Sequence, residues 1–218
     1  MELHDISVPL SERLAPWPGD TSVRFALNLK ISEGATVNVG AVTMSMHSGT
    51  HVDAPFHFEE NGATIENLSL EIYFGPAVVV DLSKTYSGPT EGFDSSRMIT
   101  VDDLAAAVGG QTSIPRLLVK TNFVSDRTVF PDEIPVIAPN VPLWLKERGT
   151  KLIGLDLPSV DRVKSKDLRN HRALLRCGIM ILESLDLSQI EDGVYNLAAF
   201  PLKIADGDAS PVRAVLWR

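Results

Sequence analysis

The chain has 218 residues, enough for one large domain with a sizeable core, so neither a disulfide framework nor a structural metal is needed for folding alone. Its 44% hydrophobic and 22% charged residues are the balance of an ordinary soluble globular protein, and a net charge of −8 makes nucleic acid a poor partner, because phosphate binding rests on basic patches. The single cysteine, Cys177, excludes an internal disulfide and suits a reducing compartment, with the cytoplasm as the expected one.

From the N-terminus, Met1-Glu-Leu-His-Asp5 has no basic region and no apolar core, so no secretory signal is expected. Leu14-Ala-Pro-Trp-Pro-Gly-Asp20 reads as a loop. Phe25, Leu27, Leu29 and Ile31 alternate with polar or small residues and predict a half-buried strand. Val37 to Met46 is a second strand candidate, interrupted at Gly40. Ala77 to Leu82, Arg116 to Lys120, Lys151 to Leu155 and Ile179 to Leu182 are short apolar runs of the buried-strand type. The most apolar stretch, Phe74 to Leu82, holds Gly75, Pro76 and Asp81 and is too short to cross a bilayer, so no membrane partner is expected. Thr100 offers an N-cap before Leu104 to Val108. Asn140 can cap Val141 to Arg148, with Pro142 in the first turn and Gly149 as a stop. A third helix candidate, Ser165 to Cys177, closes at Gly178. Strands first, then strands and helices mixed, then strands again predict an α/β or α+β domain with a mixed sheet, and no linker divides residues 1–218.

Three of the five histidines fall in one eleven-residue window, His47-Ser-Gly-Thr-His51-Val-Asp53-Ala-Pro-Phe-His57. Imidazole and carboxylate together are the ligand set of zinc and its first-row neighbours. The i, i+4 spacing of His47 and His51 would share a helix face, but Gly49, Thr50 and Pro55 argue against a helix. An extended chain points His51 and Asp53 the same way, and His47 and His57 share that parity if Gly49 and Pro55 bend the path. The alternative is three histidines close in sequence by chance.

The segment from His47 to Phe58 closely resembles the signature of the cyclase-like metal-dependent amidohydrolase family. The resemblance runs nearly end to end. Pro16-Trp-Pro-Gly-Asp20 matches the family's N-terminal loop, and Lys151-Leu-Ile-Gly-Leu-Asp-Leu-Pro-Ser159 its central strand and turn. His171 with Ile181-Leu-Glu183 matches a second metal-binding segment, and Pro201-Leu-Lys-Ile204 with Asp208-Ala-Ser-Pro-Val-Arg-Ala-Val215 matches the C-terminal signature.

The resemblance implies a single domain of the swivelling β/β/α type, a homodimer, and two divalent metal ions per chain, zinc in the first place with manganese or cobalt also suited. His47 and His51 would bind one ion, His171 the other, and Asp53 and Glu183 would bridge them. His57 would be the general acid and base, and Trp17 would contact substrate. The implied partner is a small aromatic formamide, and the implied activity is hydrolysis of N-formyl-L-kynurenine to L-kynurenine and formate in tryptophan breakdown. Rivals are a family member acting on a cyclic amide such as isatin, and a metal-binding homologue without catalysis. Residue chemistry fits hydrolysis: bound metal lowers the pKa of water towards about 7, and two cations can hold a hydroxide between them. A histidine beside the cluster but outside the ligand set can then protonate the leaving amine.

Taken singly, several of these residues admit plainer readings. His171 stands among Arg169, Asn170 and Arg172 and could lie on a solvated helix face. Glu183 ends an apolar run, where a buried carboxylate needs a partner such as a cation and an exposed one does not. Trp17 between two prolines is either a plug under a loop or a rigid wall for an aromatic substrate. No base is placed beside Cys177, and His4 in the N-terminal arm is read as inert. Asp156 and Asp161, flanking Pro158-Ser159, could tune a ligand or shape a turn, and the turn is the reading preferred.

Overall fold

The computed structural model describes residues 2–86 and 97–218, with Met1 and residues 87–96 outside. Among the described residues thirteen strands occur in chain order. They are β1 (Leu3–Asp5), β2 (Arg24–Leu29), β3 (Val39–Thr43), β4 (His51–Asp53), β5 (Phe74–Asp81), β6 (Met98–Ile99), β7 (Arg116–Lys120), β8 (Val136–Ile137), β9 (Leu152–Leu155), β10 (Met180–Glu183), β11 (Gly193–Ala198), β12 (Ala209–Pro211) and β13 (Val215–Trp217). Four helices, α1 (Ser83–Tyr86), α2 (Val101–Val108), α3 (Val141–Glu147) and α4 (Arg169–Arg176), fall between β5 and β10.

Nine strands form one curled mixed sheet in the order β1-β13-β11-β5-β7-β9-β10-β4-β12. Its centre, β5-β7-β9-β10, is parallel. Each step between those strands crosses over through helix, as parallel pairing demands. The flanking strands are antiparallel. Central strands are apolar on both faces for a reason visible in their alternation. Val80, Leu117, Val119, Ile153 and Ile181 meet the helices through Leu104, Leu145 and Leu174. Val79, Leu118, Leu152 and Leu182 meet the curled-over flank through Ile6, Val52, Leu197 and Leu216. No helix among the described residues is long and apolar enough to cross a membrane.

Several sequence expectations change in detail. The alternating segment at Phe25 forms a strand, but not a half-buried one: β2 and β3 make a separate two-stranded sheet whose residues are all exposed, with Phe25 57% and Val42 55% accessible. Gly40 does not interrupt β3; it pairs with Leu27, and the Phe25 ring lies over it where a Cβ would sit 2.7 Å from a ring carbon. Thr100 caps α2 in a reciprocal capping box with Asp103. Asn140 makes no side-chain cap bond, and α3 begins at Val141 with Pro142 in its first turn. The third helix begins only at Arg169, because Ser165 and Asp167 spend their side chains on a turn with Leu168 and Arg169.

Candidate metal centre

The segment from His47 to His57 lies beside the end of the parallel strands, where open α/β sheets gather their functional groups. Gly49, at φ 63°, turns the chain from His47 into β4, a left-handed conformation that glycine adopts without strain. β4 then pairs antiparallel with β10, setting His51 directly opposite Glu183. α4 delivers His171 to the same point, buried among these groups and not on a solvated face. Two non-glycine residues at positive φ flank the cluster: Ser184 (55°) just after Glu183, and Leu168 (45°) just before α4. Such conformations persist where surrounding contacts over-determine them, and Ser184 is held by bonds from its N–H to the Leu157 carbonyl and from Thr50 Oγ1 to its own carbonyl.

Asp53 sits at the middle. Its Oδ1 lies 3.2 Å from His47 Nδ1 and 3.5 Å from His51 Nε2, while Oδ2 lies 3.5 Å from His171 Nε2. Glu183 divides in the same way, with Oε2 3.5 Å from His51 Nε2 and Oε1 3.7 Å from His171 Nε2. The far nitrogen of each imidazole is pinned by an acceptor. His51 Nδ1 donates to the Gly49 carbonyl at 2.9 Å, His171 Nδ1 to Asp161 Oδ2 at 2.8 Å, and His47 Nε2 to Asp208 Oδ2 at 3.1 Å. An outer acceptor fixes the tautomer, so all three inner nitrogens present lone pairs towards Asp53 when the rings are neutral.

Burial opposes a charge on His47 and His171. Asp208 and Asp53 for the first, and Asp161 and Asp53 for the second, outweigh it and raise both to about 10. Burial also pushes Glu183 well up, reinforced by the charge of Asp53. Asp53 is driven up by burial as well, but contacts from His171, His47 and His51 prevail and hold it well below the usual carboxylate range.

The donor set fits a divalent cation. His51 Nε2 and both Asp53 oxygens are buried without a hydrogen bond, an arrangement that costs about 1–3 kcal/mol per group unless something satisfies them. Donor atoms of His47, His51 and Asp53 lie within 4.8 Å of one another, as do those of Asp53, His171 and Glu183. A third such group joins His47, His57 and Asp208. The His57 ring is 4.0 Å from that of His47 between centroids, with Nδ1 3.6 Å from Asp208 Oδ2.

Above the cluster opens a cavity of about 330 Å³. Trp17 lines it, half-buried and packed edge-on against Phe130 with centroids 5.1 Å apart. His57 lines it too, with its side chain 31% exposed. His47, His51, Asp53, His171 and Glu183 therefore gather at the floor of this cavity, with His57 and Trp17 on its walls. Cys177 lies apart, packed on the helical core cluster, and His4, paired with Leu216, meets the Tyr195 ring edge-on.

Three aspartates differ from the sequence expectation. Asp161 does not merely shape a turn: it accepts from the N–H groups of Asn170 and His171 and orients the His171 ring. Asp156 is buried and accepts from Thr121 and Asn122, tying β7 to β9. Asp208 touches both His47 and His57. Its only sequence signal is its place at the head of the C-terminal signature, which carries no hint of distance to His47.

Buried imidazoles and carboxylates flooring an open cavity are the arrangement of a metal-dependent hydrolase. The family model described as "Putative cyclase" matches residues 4–162, and the chain belongs to this cyclase family. It is 44% identical over 212 residues to a kynurenine formamidase of Geobacillus thermodenitrificans, spanning 97% of this chain and 95% of the relative. A kynurenine formamidase of Bacillus thuringiensis subsp. konkukian is 40% identical over the same shares. Among solved structures, isatin hydrolase A from Labrenzia aggregata bound to benzyl benzoate superposes with a TM-score of 0.80 at 25% identity, covering 99% of this chain and 93% of that one. A structure described as a "predicted metal-dependent hydrolase from Bacillus stearothermophilus" gives 0.78 at 26% identity, over 99% and 97%.

Proposed function

We propose that this protein hydrolyses N-formyl-L-kynurenine to L-kynurenine and formate. The supporting observation is the joint one: a buried His/Asp/Glu cluster as the cavity floor, an aromatic wall at Trp17, and formamidase relatives matched along almost the whole chain. His47 and His51 would hold one divalent ion and His171 a second, with Asp53 and Glu183 shared. Zinc suits this nitrogen and oxygen set best. When bound, the ions would supply Lewis acidity and a water acidic enough to attack at neutral pH.

The chain's own residues supply the rest. Asp208 faces His57 Nδ1, leaving Nε2 to carry the proton to and from the reacting groups. Trp17, braced by Phe130, holds the aryl ring of the substrate so that the formyl carbon reaches the floor. The single thiol, with no partner in the chain, suits a cytoplasmic setting.

Assay of the metal-loaded protein with formylkynurenine and isatin side by side tests this reading. Formylkynurenine is expected to be cleaved faster, and preferred turnover of isatin would overturn the assignment. Trp17→Ala should raise KM about tenfold with kcat and metal content little changed, since stacking is worth about 0.5–1.5 kcal/mol beyond area.

A homodimer is part of the same proposal, and the β2–β3 hairpin supports it. Phe25, Leu27, Leu29, Val39 and Val42 give it an apolar face, extended by Ile31 and Val37, and all seven are exposed. An isolated hairpin is marginal in water, and these side chains offer on the order of 500 Å², much of the roughly 800 Å² per partner that a standard interface buries. A second copy would cover this face. Sedimentation velocity should give a dimer for the wild type and a monomer for Phe25→Asp/Val42→Asp. A monomeric wild type at micromolar concentration refutes the assembly.

A further inference from the structure

Arg127, a partly buried cation at the cavity wall, forms no ion pair with a described residue, although the Asp156 and Asp186 carboxylates act on it from further off. Its Nη2 donates to the carbonyls of Asp156 (3.0 Å) and Leu185 (2.9 Å), which fix the guanidinium in place. Among the described residues its Nε and Nη1 form no hydrogen bond and no carboxylate pairs with it. Other arginines contrast with it: Arg213 pairs with Asp5, Arg172 with Glu59, and Arg116 is bound by three carbonyls. The Asp156 carboxylate close by is already taken by Thr121 and Asn122. Arg127 lines the same cavity as Trp17 and His57.

A planar guanidinium held rigid, with N–H groups left over, is fitted to a carboxylate, which it can meet with two parallel bonds. We infer that Arg127 anchors the α-carboxylate of the substrate, so that the site selects aryl formamides carrying that carboxylate over those lacking it. The inference rests on the formamidase reading above and deepens it. Lys166 also borders the cavity, but it is exposed, so its ammonium keeps its water and its freedom. Arg127 is already ordered before any ligand arrives, and less is lost on binding.

The test compares N-formyl-L-kynurenine with N-formylkynuramine, which lacks only the carboxylate, on the metal-loaded wild type, Arg127→Gln, Arg127→Lys and Lys166→Met. The wild type should prefer the carboxylate substrate about 10- to 100-fold in kcat/KM, the range of a charged hydrogen-bonded pair. Arg127→Gln should erase that preference through KM, Arg127→Lys should keep part of it, and Lys166→Met should keep it whole. Competition by L-kynurenine against kynuramine should follow the same order and reads binding apart from chemistry. Equal kcat/KM for the two formamides in the wild type, an equal fall for both in Arg127→Gln, or loss of the preference in Lys166→Met overturns the inference while the formamidase reading stands. Hydrolysis of neither formamide overturns both.

Discussion

His57→Ala is expected to keep its metal and lose about 10²–10⁴-fold in kcat, the usual worth of a positioned acid or base. The expectation follows from where the ring lies. His57 is outside the pair of donor groups that share Asp53, yet it touches His47 and opens on the cavity. Its Nδ1 faces Asp208, a carboxylate held well below its usual range by His47 and then by His57, against the effect of burial. That carboxylate can bias the tautomer and leave Nε2 for proton transfer to the leaving amine. His51→Ala is the control. It removes a buried nitrogen that has no partner but the two carboxylates, and metal should leave with it. The alternative is also written in the geometry, because His47, His57 and Asp208 form a donor group of their own. If His57→Ala sheds metal as readily as His51→Ala, His57 is a ligand and the proton carrier must be sought elsewhere.

Asp53→Ala and Glu183→Ala should each lose both metal and activity. Elemental analysis is expected to find about two ions per chain in the wild type and clearly fewer in either variant. Each carboxylate splits its oxygens between the His47/His51 side and the His171 side, so either truncation strips a ligand from both places at once. Asp53→Ala should be the worse, since three imidazoles converge on it. Uptake should also weaken as pH falls. Without metal, His47 and His171 hold their protons up to about 10, and these protons must leave before a cation can bind. Calorimetric titration of the chelated protein at pH 8 in buffers of different ionisation enthalpy should therefore register proton release. Full activity after exhaustive chelation would contradict the metal assignment altogether.

Much of this site is readable in the chain because its chemistry is concentrated in sequence. Three histidines and an aspartate in eleven residues mark a candidate site, and the strand parity that points His51 and Asp53 alike recurs in β4. The buried parallel strands are legible for a related reason: a strand covered on both faces is apolar in its interior, as at Leu117–Val119 and Leu152–Leu155, with the buried charges Arg116 and Lys120 only at the ends of β7.

Tertiary structure decided what depends on contacts remote in sequence. Glu183 faces His51 only because β10 pairs antiparallel with β4 in that register, and a slip of one residue would turn its carboxylate to the other side of the sheet. Asp208 meets His47 across 161 positions, and Arg127 reaches the carbonyl of Leu185 across 58. The hairpin shows the opposite limit. Its alternation dictates one apolar face, but whether the rest of the fold covers that face is set by packing, and here it does not. Local periodicity fixes which side chains share a surface. Only the closed sheet fixes what that surface meets, because the pairing partners are chosen by burial summed over the whole core.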